Sequence, residues 1–299
     1  KATSNAFNPA ISLILDGKFA SFSRDPDIYA LPGFALGAET GPGEQGLQLG
    51  ESELVMSANI DDRFFGSFTA ALTPENEVEV EEAFIETLQL GGGATVKAGR
   101  FLSQVGYLNN VHAHAWDFVD QPLAYRALLG NQYGDDGVQV RWVAPTDLLL
   151  EFGVEVFRGD SFPAGGAAHD GTGTRTVFVR VGGDAGASHA WRVGLSRLEA
   201  NAVERESGDE NTPDLFTGDS KLTILDFVWK WAPEGNRTQR HFKFQAEFFR
   251  RDENGTFDPV SSGSPISYTG NQQGWYAQAV YQFMPRWRVG ARIDRLKAD

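Results

Sequence analysis

The stretch from Gly99 to Val143 gathers the side chains best suited to chemistry. His112-x-His114 is followed by Asp117 and Asp120, and imidazole with carboxylate is a donor set for Zn2+ or another divalent cation. In an extended segment the two histidines project to one side, which suits chelation. The expected metal ligands are His112, His114 and Asp117. The alternative is that loop histidines bond locally or line a passage. Trp116, Phe118 and Tyr125 lie in the same stretch, with Arg100 and Arg126 to either side of the histidines. The aromatics could wedge the segment into an enclosed space, with both arginines facing an acidic wall; otherwise they pack it outside. Catalysis is not expected: there is no G-x-S-x-G elbow and no H-E-x-x-H.

The elements that must position this segment are strands. Apolar and polar residues alternate with a period of two along most of the chain. Leu148, Leu150, Phe152, Val154 and Val156 oppose Glu151 and Glu155, and Leu225, Phe227, Trp229 and Trp231 oppose Asp226 and Lys230. About thirteen such strands can be traced, most near the ~9–11 residues of a tilted membrane-spanning strand. The first is expected over Ala10 to Ser23. Strand patterns enter the central stretch at Lys97 and leave it at Val138, which makes residues 103–136 a long inserted loop. No helical period of useful length is apparent, and no linker divides the 299 residues.

Connections mostly alternate long and short, as in up-and-down barrels with short turns on one side and long loops on the other. Glu199 to Ser220 and Arg251 to Gln272 are expected as two of the long loops. The short connection at Thr73 to Glu77 breaks the alternation. Trp142, Trp191, Trp231 and Trp287 all sit on the apolar face beside a short turn, where an interfacial aromatic girdle belongs. Charges of both signs occur at mid-strand on the opposite face, which a wetted interior can hold and a dry one cannot. The expected fold is therefore all-β, an antiparallel up-and-down transmembrane β-barrel. An odd strand number fits closure poorly, so roughly 14–18 strands are expected in the full protein. A soluble β-sandwich or solenoid with solvated polar faces is the alternative.

Composition agrees. The mean hydropathy is -0.31, and no run approaches the ~18–20 apolar residues of a membrane helix. Cysteine is absent, which fits an extracytoplasmic site weakly. A formal charge of -14 argues against nucleic acid as a partner.

At Lys97-Ala98-Gly99-Arg100-Phe101, followed by a long insert and a strand opening Gly137-Val138-Gln139-Val140, the chain resembles the phosphate-selective porin superfamily. The blocks Gly106 to Asn109, His112 to Phe118 and Tyr133 to Gly137 look closer still to uncharacterised proteobacterial barrels labelled zinc-regulated and TonB-dependent-receptor-like. The resemblance implies an outer-membrane barrel, here expected without the receptors' plug domain. In the phosphate porins an arginine ladder and lysines line the pore, whereas here the expected lining mixes signs and the overall charge is acidic, so phosphate selectivity does not carry over.

The function expected is a porin-like channel in a bacterial outer membrane, passing small solutes or ions. Its pore would be lined by Glu51, Glu82, Glu86, Arg100, Arg126, Arg141, Glu151, Glu155, Arg180, Arg192, Lys243 and Glu247. Partners would be outer-membrane lipid, the solute and, by analogy with porins, two further copies in a homotrimer. No cofactor is expected beyond a possible divalent cation such as zinc. The alternatives are a metal-related uptake or binding barrel, and a structural barrel that scaffolds a partner.

Overall fold

Alternation of period two becomes strand along nearly the whole chain. The computed structural model describes residues 9–37, 40–73, 77–88, 90–165, 171–209, 212–260 and 264–298, apart from the side chains of Asp27 and Asp209. The strands are β1 (Ala10–Ile14), β2 (Gly17–Ala20), β3 (Gly46–Leu49), β4 (Ser52–Asn59), β5 (Phe64–Leu72), β6 (Val78–Thr87), β7 (Ala94–Leu102), β8 (Gly134–Val143), β9 (Leu149–Phe157), β10 (Thr174–Ala185), β11 (His189–Asp209), β12 (Thr212–Trp231), β13 (His241–Asp258), β14 (Ile266–Met284) and β15 (Trp287–Ala298). One short helix, α1 (Leu123–Leu129), lies in the insert.

Thirteen strands form one antiparallel sheet in the order β1-β4-β5 and then consecutively to β15. Every neighbour from β4 onward is also a neighbour in sequence, the meander of an up-and-down barrel. The expected first strand is divided: β1 joins β4, while β2 pairs with β3 in a separate two-stranded ribbon. Among the described residues no ladder joins β1 to β15. The residues of the 74–76 turn lie outside the described set.

The two faces of the sheet are inverted relative to a soluble protein. Val154, Leu195 and Phe227 point outward and keep 49%, 48% and 38% of their surface exposed. Their neighbours Glu155 and Asp226 point inward and are each 1% exposed. Ladder partners share a face, and Val193 opposite Phe227 with Leu195 opposite Leu225 extends the apolar band across strands. Trp142 and Trp287 stand exposed on this band beside short turns, and Trp191 lies opposite Trp229 on the same face. Such a surface is at home against lipid tails.

Two sequence-based expectations are corrected here. Glu199 to Ser220 and Arg251 to Gln272 are not loops: β11 and β12 run 21 and 20 residues, and β13 and β14 run 18 and 19. At ~3.3 Å per residue such strands far exceed a ~25 Å apolar band, so paired hairpins extend beyond it. Their polar composition is that of a solvated ribbon, which carries no clear apolar alternation. The inner face is also not uniformly wetted. Phe101, Phe157, Leu198, Leu222, Ile224 and Phe249 form a buried core with Val105, Tyr125, Leu128, Leu129 and Tyr133 of the insert.

An arginine in place of Leu195 is expected to cost ~2–4 kcal/mol of folding free energy if that position lies at the bilayer midplane. Denaturant titration of protein folded into lipid vesicles reads this. A cost near zero would place the face away from lipid.

Candidate functional site

The insert between β7 and β8 folds inward and is held by charged groups on the inner face of the strands. The Glu247 carboxylate of β13 accepts hydrogen bonds from the backbone N–H of Tyr107 (2.9 Å) and Leu108 (3.3 Å) and from the hydroxyls of Tyr125 (3.0 Å) and Tyr276 (2.5 Å). Glu155 of β9 accepts from the Ser103 hydroxyl (2.5 Å), the Gln104 N–H (3.0 Å), the Gln139 amide (2.6 Å) and Thr176. Arg180 of β10 donates to the side chain and carbonyl of Gln104 and pairs with Glu151 at 3.1 Å. Buried carboxylates and guanidinium groups thus find their partners in the backbone of residues 103–108, where an unpaired charge would be costly.

Local sequence makes this seat possible. Gly106 adopts φ 66°, and a Cβ there would lie 2.5 Å from Glu247 Oε2 and 2.6 Å from the Tyr125 hydroxyl. Glycine is therefore required twice, for its backbone and for its size. The helix α1 begins after Pro122 and ends at Gly130, which takes the left-handed C-cap conformation with its N–H on the Tyr125 carbonyl. It buries Tyr125, Leu128 and Leu129 against the inner wall.

Beyond this seat the insert bridges two walls of opposite charge. On one side His112 and His114 meet glutamates of β4 and β6. His112 Nδ1 lies 3.0 Å from Glu81 Oε2 and Nε2 lies 3.1 Å from Glu82 Oε2, while His114 Nδ1 lies 2.7 Å from Glu53 Oε1. Burial alone would lower the His112 pKa, but the hydrogen bonds and charges of Glu81 and Glu82 outweigh it and push the imidazole up to about 11. On the other side Asp117 pairs with Lys243 (2.5 Å) and Arg288 (3.3 Å), and Asp120 pairs with Arg292 (2.9 Å). The Leu123 N–H is bonded to Asp294.

Several expected site residues therefore stand elsewhere. Asp117 does not join the histidines: its carboxylate serves the basic wall of β13 to β15. Arg100 does not face the acidic wall. It has the parity of Val96 and Ala98, lies on the outer face, and pairs with Asp136 at 2.9 Å. Arg126 is buried against the Thr40 carbonyl and the Tyr29 ring, so it anchors the segment between β2 and β3. Glu151, Glu155, Arg180 and Glu247 face inward but lie beneath the insert. Glu51 is half-buried beside the acidic wall. Glu82 holds the Leu102 N–H as well as His112. Glu86 reaches Lys97 and Arg141, and Arg192 and Lys243 flank the Tyr107 ring at 4.7 and 5.5 Å. Tyr125 packs into the buried core, Trp116 bonds the Val111 carbonyl and Phe118 lies under Arg292.

Glu53 and Glu81 were absent from the expected site. The signal for Glu81 is the broken alternation in Val78-Glu79-Val80-Glu81-Glu82: Thr69 pairs with Glu82 and Ala70 with Val80, leaving Glu81 as a bulge. The extra residue turns two consecutive carboxylates to the inner face.

No family model matches the sequence. A protein of Aquifex aeolicus (strain VF5), itself described as uncharacterized, is 32% identical over 314 residues, an alignment covering 98% of this chain and 66% of that protein. The chain thus spans just under two thirds of the length of that relative. Among solved structures the chain is similar to OmpT, an outer membrane protein of Vibrio cholerae in its trimer form. The TM-score is 0.58 at 11% identity, over 98% of this chain and 78% of that one. An anion-selective porin from Comamonas acidovorans aligns at a TM-score of 0.38 and 12% identity, over 98% of this chain and all of that one.

Two outcomes test this geometry. Replacing Glu247 by Ala strands the Tyr107 N–H and the hydroxyl protons of Tyr125 and Tyr276, and should cost at least ~1–3 kcal/mol, with hydrogen exchange rising in residues 103–131 before the strands. Uniform exchange would deny Glu247 its anchoring role. In chelator-treated protein, the folded state holds on His112 a proton that the unfolded chain releases near its ordinary pKa of 6.5. The His112 contribution is therefore complete below that pH and shrinks as pH rises, to vanish above about 11. The melting temperature should fall more over this window in the parent than in His112→Gln. Equal slopes would refute the His112 anchor.

Proposed function

We propose that the protein is a channel of a bacterial outer membrane, selective among small solutes or ions, with the insert as its constriction. The observation that carries this reading is the position of the insert, inside the sheet and stretched between an acidic wall on β4 and β6 and a basic wall on β13 to β15. Opposed charge across a narrow passage sets a transverse field, and rings of charge and pore width are the ordinary sources of selectivity. The groups that keep some exposure cluster toward the short-turn ends of their strands: Glu86, Arg141, Arg192, Lys243 and Arg288. These, rather than the covered Glu151, Glu155, Arg180 and Glu247, would set ion preference.

The fold likeness to an outer membrane protein solved as a trimer supports the location, and makes a homotrimer the assembly to look for. The outward apolar band supplies the lipid contact. A second reading, a barrel sealed by its insert that scaffolds a partner, draws on the dry core between insert and wall.

Planar-bilayer recording separates the two. Full-length, folded protein should give discrete conductance steps, and reversing the charge of Arg192 and Lys243 together should move the reversal potential in a salt gradient toward cations. Absence of steps would overturn the channel reading in favour of the sealed barrel.

A further inference from the structure

The acidic wall holds a donor set that hydrogen bonding alone does not use up. Glu53, Glu81 and His112 each offer one ligand atom, and these atoms all lie within 4.8 Å of one another. Glu53 is 0% exposed; its Oε1 is taken by His114 at 2.7 Å, but its Oε2 has no hydrogen-bond partner. That orphaned oxygen faces His112 Nδ1 at 3.5 Å, and Glu81 Oε2 approaches the same nitrogen at 3.0 Å. One proton on Nδ1 is thus shared between two carboxylates and bonds only one of them well.

We propose that His112, Glu53 and Glu81 form a binding site for one divalent transition-metal ion. One imidazole and two carboxylates suit Zn2+ and its first-row neighbours better than an all-oxygen shell would, and leave positions for water. The opposite edge of the ring supports the assignment. His112 Nε2 lies 3.1 Å from Glu82 Oε2, and Glu82 is itself held by the Leu102 N–H at 3.1 Å. This is the carboxylate–histidine arrangement that orients a metal ligand and raises its basicity. His114 steadies Glu53 from the other side. The bulge at Glu81 exists in the right place: without it either Glu81 or Glu82 would turn to lipid. Ligands come from β4, β6 and the insert, so a bound ion would tie the constriction to the wall. The site goes beyond the channel reading, and conductance without a bound ion would leave that reading intact.

Equilibrium dialysis of the folded protein in detergent against ZnCl2, with bound metal counted by mass spectrometry, tests it. The expected result is one Zn2+ per chain, retained in a hundredfold excess of Mg2+. Affinity should fall at least tenfold in Glu53→Gln and in His112→Gln and stay unchanged in Asp117→Asn. If His112→Gln does not fold, Co2+ in the parent protein should give visible d–d absorption that Glu53→Gln removes. Equal Zn2+ binding by parent and Glu53→Gln, or displacement of Zn2+ by Mg2+, would reduce the cluster to ordinary attraction by an acidic chain and overturn the site.

Discussion

Charge on the inner face of a membrane sheet must be satisfied from within, and here the insert satisfies it. Glu155 and Glu247 stand on strands whose other face is the outward apolar band, so neither can turn outward without breaking the alternation. Each is 2% exposed or less and collects four donors, two of those on Glu155 and three of those on Glu247 coming from residues 103–125. The insert in turn has backbone N–H groups at Gln104, Tyr107 and Leu108 that no strand or helix pairs. The exchange fixes both partners. It explains why the loop enters the sheet, why Gly106 is a glycine, and why Tyr125 turns its hydroxyl toward Glu247 and the Leu108 N–H.

Beyond that seat, charge sorting sets direction. The histidines of the insert precede its aspartates by a few residues, and the wall is acidic where the first fall and basic where the second fall. A reversed insert would place imidazoles against Lys243 and carboxylates against Glu53, with repulsion at both ends. Exposed ion pairs of this kind contribute little singly. Glu53, at 0% exposure, and Asp117, at 12%, are sheltered enough for the sign of the contact to matter.

Much of this was legible in the sequence, because parity is a robust signal. Val154, Leu195 and Phe227 face outward, and Glu155, Asp226 and Glu247 inward, as alternation requires. The thirteen strands of the main sheet are those the alternation traced. What escaped did so for definite reasons. The outer halves of β11 to β14 carry no apolar band to alternate. The helix α1 spans only 7 residues, too short for a period, although Pro122 and Gly130 bracket it. Arg100 follows its parity rather than its charge and stands with Val96 and Ala98 beside Asp136. Glu81 is hidden by a bulge, since the one extra residue there turns two consecutive carboxylates to the same face. Mid-strand charge does not by itself require a wetted interior, because a loop can solvate charge as water does.

That substitution bears on where anything could pass. Toward the long-connection ends, the inner wall and the insert meet in a dry core of Phe101, Phe157, Leu198, Leu222 and Phe249, each 0–1% exposed. Water has no foothold there. Toward the short-turn ends the inner face carries Arg141 and Glu86 with 31% and 24% of their side chains exposed, and Arg192 and Lys243 with 22% and 19%. Beside these groups lies Tyr107, whose ring has Arg192, Lys230 and Lys243 within 4.7 to 5.7 Å, and in the proposed channel this is the side of the core along which a solute would run. The same insert that fills one half of the interior therefore brings its aromatic ring to the charged half, among Arg192, Lys230 and Lys243. Selectivity would then follow from where the loop is seated, and the seat is set by the buried carboxylates of the wall.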